Sequence, residues 1–84
     1  MRILLSVVCL LLAQPALAGP RCTDKPKSKW IAVDEMVEKI KAARYSVDVF
    51  KITSGRCYEI YGRDALGRRV EVYFHPVTGR PVTG

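Results

Sequence analysis

The side chains that could carry chemistry in this 84-residue chain are few. His75 is the one histidine, and a metal site built on it would need further ligands, while the cysteines are expected to be oxidised. Glu59 and Glu71 fall on the same face of two neighbouring strand-like segments, where paired carboxylates could do acid–base work. The lysines and arginines near them favour solvated ion pairing instead. No nucleophile with a matching base is recognisable, so the sequence predicts neither an enzyme nor a bound cofactor or metal.

The first residues have the order of a secretory signal peptide. A basic start at Arg2 is followed by the apolar run 3–12 and then by the small-residue cleavage motif Ala16-Leu17-Ala18. The apolar run is too short to anchor the chain across a bilayer. We interpret residues 1–18 as a signal peptide and 19–84 as a single domain. This domain is expected to be periplasmic or secreted and to keep no stable membrane anchor.

Cleavage of this signal would also remove Cys9, which leaves Cys22 and Cys57 as the two cysteines of the mature chain. An even pair of cysteines in an exported chain indicates a disulfide bond. Closing a loop of this length should stabilise so small a domain by roughly 3–4 kcal/mol in the chain-entropy model. Two free thiols or a pair of metal ligands would be the alternative interpretation, which lacks a second cysteine pair.

The mature chain is basic. Arg2 is the one charged residue of the signal segment, so 13 of the 14 basic and all 8 acidic residues remain, and the formal net charge is +5. Lysines cluster at 25, 27 and 29 and arginines at 68 and 69. Such an excess suits nucleic acid or an anionic membrane surface. Export argues against nucleic acid, and we interpret the charge as that of a solvated basic surface.

One amphipathic helix and three strands are expected to position these residues. Val33, Met36, Val37 and Ile40 recur at helical spacing, whereas the segments 45–53, 56–64 and 68–75 are rich in β-branched and aromatic residues. Ser54-Gly55 is predicted to form a two-residue hairpin loop, and Ala65-Leu66-Gly67 a three-residue loop with Gly67 in the left-handed conformation. The predicted fold class is α+β, with the helix packed on a three-stranded antiparallel meander. Residues 19–29 form a basic extended arm before the helix, and residues 80–82 a short fourth edge segment.

The predicted registers divide the strand residues between two faces of the sheet. The surface facing the helix would collect Val47, Val49, Tyr58, Ile60, Val70, Val72 and Phe74. The other surface would collect Phe50, Ile52, Cys57, Tyr61 and Tyr73 together with Glu59 and Glu71. This second surface is too apolar to be simply solvated, so either the arm or a protein partner should cover it. The candidate partner-binding residues are therefore Phe50, Ile52, Tyr61 and Tyr73.

Several of these residues together carry a family resemblance. They are Trp30, the amphipathic helix, Tyr45-x-Val47, Gly55-x-Cys57-Tyr58-Glu59-Ile60-Tyr61, Asp64-x-x-Gly67-Arg68, Val72-x-Phe74 and Pro76-x-Thr78-Gly79. This order resembles the small exported bacterial proteins with a PepSY domain and covers essentially the whole mature chain. Two positions depart from the family pattern: His75 stands where an Asp is usual, and Arg44 stands where a Gly usually ends the helix.

The resemblance implies an α+β fold, a periplasmic or secreted location and a role in binding and restraining peptidases, with no catalytic residues. The predicted function is therefore a noncatalytic binding module of the bacterial envelope, with a protein partner and a peptidase as the favoured one. The alternative is a small-ligand or metal-binding envelope protein that uses His75.

Overall fold

The computed structural model of the protein describes residues 19–83, so the predicted signal peptide lies outside the described residues. A 3₁₀ turn at Lys27–Lys29 precedes helix α1, Val33–Ala42. Four strands follow and form one antiparallel sheet in chain order. They are β1, Ser46–Ile52; β2, Tyr58–Arg63; β3, Arg69–Phe74; and β4, Pro81–Val82. The α+β fold with its short fourth strand is thus confirmed.

Helix α1 supplies one side of the core and ends on a strained residue. Met36 and Ile40 point into the core and are fully buried, as the helical spacing predicts. At its C-terminus, the Tyr45 amide donates to the Ile40 carbonyl and the Arg44 amide to the Lys41 carbonyl. This is the Schellman arrangement, in which the residue after the cap is left-handed and is usually Gly. Arg44 occupies that position with φ 74°.

The core lies between helix α1 and one face of the sheet. Its buried members are Met36, Ile40, Tyr58, Ile60 and Phe74, and partly buried residues pack around them, namely Trp30, Ile31, Tyr45, Val47, Phe50 and Val72. The Tyr58 hydroxyl donates to the Ile31 carbonyl at 2.6 Å, which satisfies the polar end of a buried ring. The sheet face that this core covers is called the inner face below.

The second hairpin has the predicted loop and register. The Gly67 amide donates to the Asp64 carbonyl, and the Asp64 amide donates to the Arg68 carbonyl, which closes a three-residue loop. Gly67 takes φ 81°, as a residue at the end of such a loop requires. Ile60 pairs with Val72, and Tyr58 pairs with Phe74.

The first hairpin differs from the prediction by one residue. Its loop has three residues rather than two, because Arg56 takes the left-handed conformation, φ 66°, in the position that Gly67 holds in the second loop. Strand β1 therefore pairs Phe50 with Ile60 and Ile52 with Tyr58, which places Phe50 and Ile52 on the inner face. Grouping them with Tyr61 and Tyr73 was wrong.

A bulge in strand β1 limits the consequences of this shift. The register with strand β2 changes between Val47 and Val49, so that Asp48 is the extra residue. Val47 returns to the inner face and packs on the core, as predicted. Val49, which was expected there too, lies opposite Tyr61 on the other face and is 48% exposed.

The arm is tied to the tip of the first hairpin. The Cys22–Cys57 disulfide joins them with Cα atoms 5.1 Å apart, and the Cys22 amide donates to the Gly55 carbonyl. A Cβ on Gly55 would overlap the carbonyl oxygen of Pro20, so the close approach requires glycine there. The predicted disulfide is therefore present, and it holds the arm against the sheet.

Candidate functional site

The sheet face that points away from helix α1 is called the outer face, and it carries a cluster of polar and aromatic side chains. It collects the residues that alternate with the core positions along the strands, namely Val49, Lys51, Glu59, Tyr61, Glu71 and Tyr73. Tyr61 is 39% exposed and Tyr73 is half-buried. The start of the arm at Gly19 lies against the Tyr73 ring, so the arm covers only one end of this face.

The four predicted partner-binding residues are divided between the two faces. Tyr61 and Tyr73 lie on the outer face as expected. On the inner face, Phe50 packs against the Tyr58 ring, with the two centroids 5.0 Å apart. Ile52 is 43% exposed at the end of strand β1, but on the inner face as well. The structure therefore brings together two of the four residues.

Two carboxylic acids stand beside the tyrosines. Glu59 lies in the middle of strand β2 and is only 3% exposed, and its Oε2 atom has no hydrogen-bond partner among the described residues. Glu71, on the neighbouring strand β3, is exposed and accepts a hydrogen bond of 2.9 Å from the Tyr73 hydroxyl. The sequence placed Glu59 and Glu71 on one face correctly, but the burial of Glu59 contradicts the expected solvated pairing.

Each of the two carboxyl groups shifts the pKa of the other, because they lie on the same face of neighbouring strands. Burial raises the pKa of Glu59 above its ordinary value, and hydrogen bonding and charge repulsion from Glu71 raise it further. The hydrogen bond from Glu59 lowers the pKa of Glu71, and the bond from Tyr73 adds to this effect. The hydrogen bond to Glu71 in turn raises the pKa of Tyr73 to about 12. Glu59 is therefore the group that keeps its proton to higher pH.

Neither carboxyl group of this pair is bonded to a basic side chain within residues 19–83. The ion pairs of that range join Arg21 with Asp24 and Arg68 with Asp64. Lys51 lies opposite Glu59 on strand β1, and its charge lowers the pKa of both carboxyl groups. Its ammonium lies 5.7 Å from the centroid of the Tyr61 ring. A shallow open groove of about 290 Å³ borders the cluster, lined by Asp48, Tyr61, Gly62, Arg69, Val70 and Glu71.

His75 has a local structural role. Its Nδ1 atom accepts hydrogen bonds from the amides of Val77 and Thr78, at 3.2 and 3.3 Å. The imidazole thereby makes the side-chain-to-backbone bonds that an Asp or Asn commonly makes at a turn, and it is half-buried. In the part of the chain that the structure describes, no group of three potential metal ligands comes together.

The sequence did not reveal how the arm crosses the first hairpin. The Arg56 guanidinium donates to the Thr23 carbonyl at 3.1 Å and to the Lys25 carbonyl at 2.6 Å. It also lies over the Trp30 ring, 5.2 Å from its centroid, and the Trp30 ring packs edge-on against Tyr58. The arm thus runs from the outer face at Gly19 to the inner face at Trp30. The predicted bond to Cys57 indicated that the arm lies near the first hairpin. It did not indicate in which direction the arm crosses the hairpin.

The architecture defines a small α+β module that displays one open face of its sheet. Residues 2–84 match the family model described as the peptidase propeptide and YPEB domain, PepSY_2. Because the match spans nearly the whole chain, the chain belongs to this PepSY family. No curated protein and no solved structure matches it significantly.

The family fits the remaining features of the chain. Its domains are propeptide-like modules associated with the regulation of peptidases, and they typically occur in exported proteins. The disulfide suits an oxidising compartment outside the cytosol. Helix α1, with ten residues, is too short to cross a membrane, and the rest of residues 19–83 offers no other candidate span.

Proposed function

We propose that this protein is a noncatalytic binding module of the bacterial envelope that docks on a peptidase and restrains it. The observation that carries the proposal is the outer face, where Tyr61 and the Glu59–Glu71 pair stand on a sheet that the arm leaves partly open. Exposed tyrosine rings beside charged groups are typical of interface anchors. Membership of a family of peptidase propeptides makes a peptidase the favoured partner.

The way the outer face is held supports a binding role. The disulfide fixes the arm to one end of strand β2, and the outer face is built on three paired strands. A surface that is already ordered loses little conformational entropy on association, which favours affinity. Turnover is not part of the proposal, because the sequence contains no recognisable nucleophile with a matching base.

Inhibition of envelope peptidases by the purified mature protein tests this function. We expect the protein to slow the cleavage of a fluorescent casein substrate by an envelope extract, and the double variant Tyr61→Ala/Tyr73→Ala to lose this effect. Leu66→Ala is the matched control, because Leu66 is 75% exposed at the tip of the second hairpin, away from the cluster.

The control variant should inhibit as well as the wild-type protein does. If the wild-type protein leaves every peptidase activity unchanged, restraint of peptidases is wrong. If the double variant inhibits as well as the wild-type protein does, the docking surface lies elsewhere. The exposed edge of strand β1, which could pair with an extended segment of a partner, would then be the next surface to test.

A further inference from the structure

The unpaired oxygen of Glu59 is the feature of the outer face that most needs an explanation. Buried polar atoms in proteins nearly always have a hydrogen-bond partner, because an unsatisfied one costs free energy. Glu59 is 97% removed from solvent, yet its Oε2 has no partner within the described residues. A proton on Glu59 removes its charge but satisfies only one of its lone pairs. Glu59 therefore lacks hydrogen-bond donors for its remaining acceptor positions.

The surroundings of Glu59 specify what kind of donor would fit. Glu71 is exposed at the entrance, and Tyr61 presents an aromatic ring next to it. Lys51 already lies over the Tyr61 ring within the range of a cation–π contact, so this ring accepts a cation. The site thus combines two neighbouring carboxyl groups with a flat aromatic surface.

A guanidinium group matches this combination better than an ammonium does. It is planar, presents several N–H donors in a fixed fork that suits paired carboxylates, and stacks on aromatic rings. A metal ion would require a third ligand, and none joins the pair in the part of the chain described. A neutral donor would leave a net negative charge once Glu59 is ionised, because Lys51 supplies one positive charge to two carboxylates.

We propose that the outer face is a docking site for an arginine side chain of the protein partner, whose guanidinium binds Glu71 and Glu59 against the Tyr61 ring. This inference rests on the proposed function, because it names the chemistry of the partner at the same surface. The mature chain is otherwise basic, at +5, so it would repel a broadly basic partner. The contact is therefore a single arginine that projects from a neutral or acidic surface.

Binding should release the proton of Glu59. The charged and titratable groups that face it are Lys51 on strand β1, Tyr61 on strand β2, and Glu71 and Tyr73 on strand β3. Because the pKa of Glu59 is raised in the free protein, the arginine competes with a proton at every pH below that raised pKa. Affinity should therefore increase as the pH rises through that pKa, and then level off.

Titration of the isotope-labelled mature protein with Nα-acetyl-arginine amide, followed by NMR, tests the site directly and needs no peptidase. We expect saturable shifts of the side-chain signals of Glu59, Glu71 and Tyr61, with weaker binding at acidic pH. Glu59→Gln keeps the shape of the residue and should weaken binding by about tenfold, the value of one charge-assisted hydrogen bond. Glu38→Gln, on the exposed face of helix α1, is the matched control and should bind as the wild type does.

One neutral and one cationic analogue of the probe define the specificity. The citrulline analogue of the probe has the same shape without charge and should not bind, and the lysine analogue should bind more weakly than the arginine probe. Equal binding of the lysine and arginine probes would overturn the assignment of arginine. Absence of saturable shifts, or equal shifts in Glu59→Gln, would overturn the site itself. A protein that inhibits peptidases but fails this titration would retain the proposed function and lose only this inference.

Discussion

Replacing Arg44 by glycine should stabilise the protein, whereas the same replacement at Arg56 should destabilise it. Both residues have left-handed backbones, with φ 74° and 66°. An L-residue with a Cβ is held there at a cost of roughly 1–2 kcal/mol, which glycine avoids. Glycine also has more conformational freedom in the unfolded chain, which destabilises the folded state and cancels about 0.5–1 kcal/mol of that advantage. Backbone relief alone would therefore favour glycine by about 0.5–1 kcal/mol at each position.

The two side chains differ in what else they do. Arg44 is exposed, and within residues 19–83 its side chain makes no hydrogen bond or ion pair, so the backbone gain should be observed in full. Arg56 donates to the carbonyls of Thr23 and Lys25 and lies over the Trp30 ring. Hydrogen bonds from a charged donor contribute about 1.5–3 kcal/mol each when buried, and these are partly exposed. Losing these hydrogen bonds and the contact with the Trp30 ring should outweigh the relief of backbone strain. Arg56→Gly should therefore lower the free energy of unfolding by about 1–3 kcal/mol.

Urea unfolding of the oxidised proteins, monitored by tryptophan fluorescence and circular dichroism, measures both effects. Arg44→Ala is the control, because it removes the same side chain and keeps the Cβ, so its stability should change little. If Arg44→Gly is no more stable than Arg44→Ala, the helix end is not strained as described. If Arg56→Gly is also stabilised, the contacts between the arm and the hairpin contribute nothing to stability, and the argument for them is refuted.

Three further predictions concern the staple, the core and the carboxyl pair. Replacing Cys22 and Cys57 by serine should lower the free energy of unfolding by about 4 kcal/mol, because the disulfide closes a loop with a sequence separation of 35. Urea midpoints measured with and without reductant test this loss. A wild-type midpoint that reductant does not change would contradict it. Phe74→Ala should lower the free energy of unfolding by about 3–5 kcal/mol, because Phe74 is 3% exposed in the core. This loss should exceed that of Tyr73→Ala. The reverse order of urea midpoints would show that the two residues are assigned to the wrong faces. The pKa of Glu59 is raised in the folded protein above its ordinary value of 4.5. Glu59 therefore contributes fully to stability below pH 4.5, and this contribution is lost as the pH rises through the folded pKa. Glu59→Gln has no carboxyl proton to lose, so its stability relative to the wild type should grow as the pH rises above 4.5, and a constant difference would refute the shift.

Local patterns were sufficient for the elements whose conformation depends on near neighbours. The apolar spacing of Met36 and Ile40 determines which side of helix α1 is buried. Gly67 marks the left-handed position of the second loop, and that single residue determines the register of strands β2 and β3. The disulfide also followed from the sequence, because Cys22 and Cys57 are the cysteines that remain after the predicted signal peptide.

The first hairpin was decided by contacts that are distant in the sequence. Nothing local favours a left-handed Arg56, but the carbonyls of Thr23 and Lys25 bind its guanidinium where the arm crosses the loop. This arrangement adds one residue to the loop, and a strand has a side-chain period of two. One added residue therefore moved Phe50 and Ile52 to the inner face.

The candidate site depended both on local sequence patterns and on contacts that are distant in the sequence. The sequence placed Glu59, Glu71, Tyr61 and Tyr73 on one face, because alternation along strands is a local property. Only the tertiary structure decided that Glu59 is buried and without a partner for one oxygen, since burial is determined by which side chains of neighbouring strands close over a residue. The raised pKa of Glu59 and the need for an external donor follow from that closure and from no property of the residue itself.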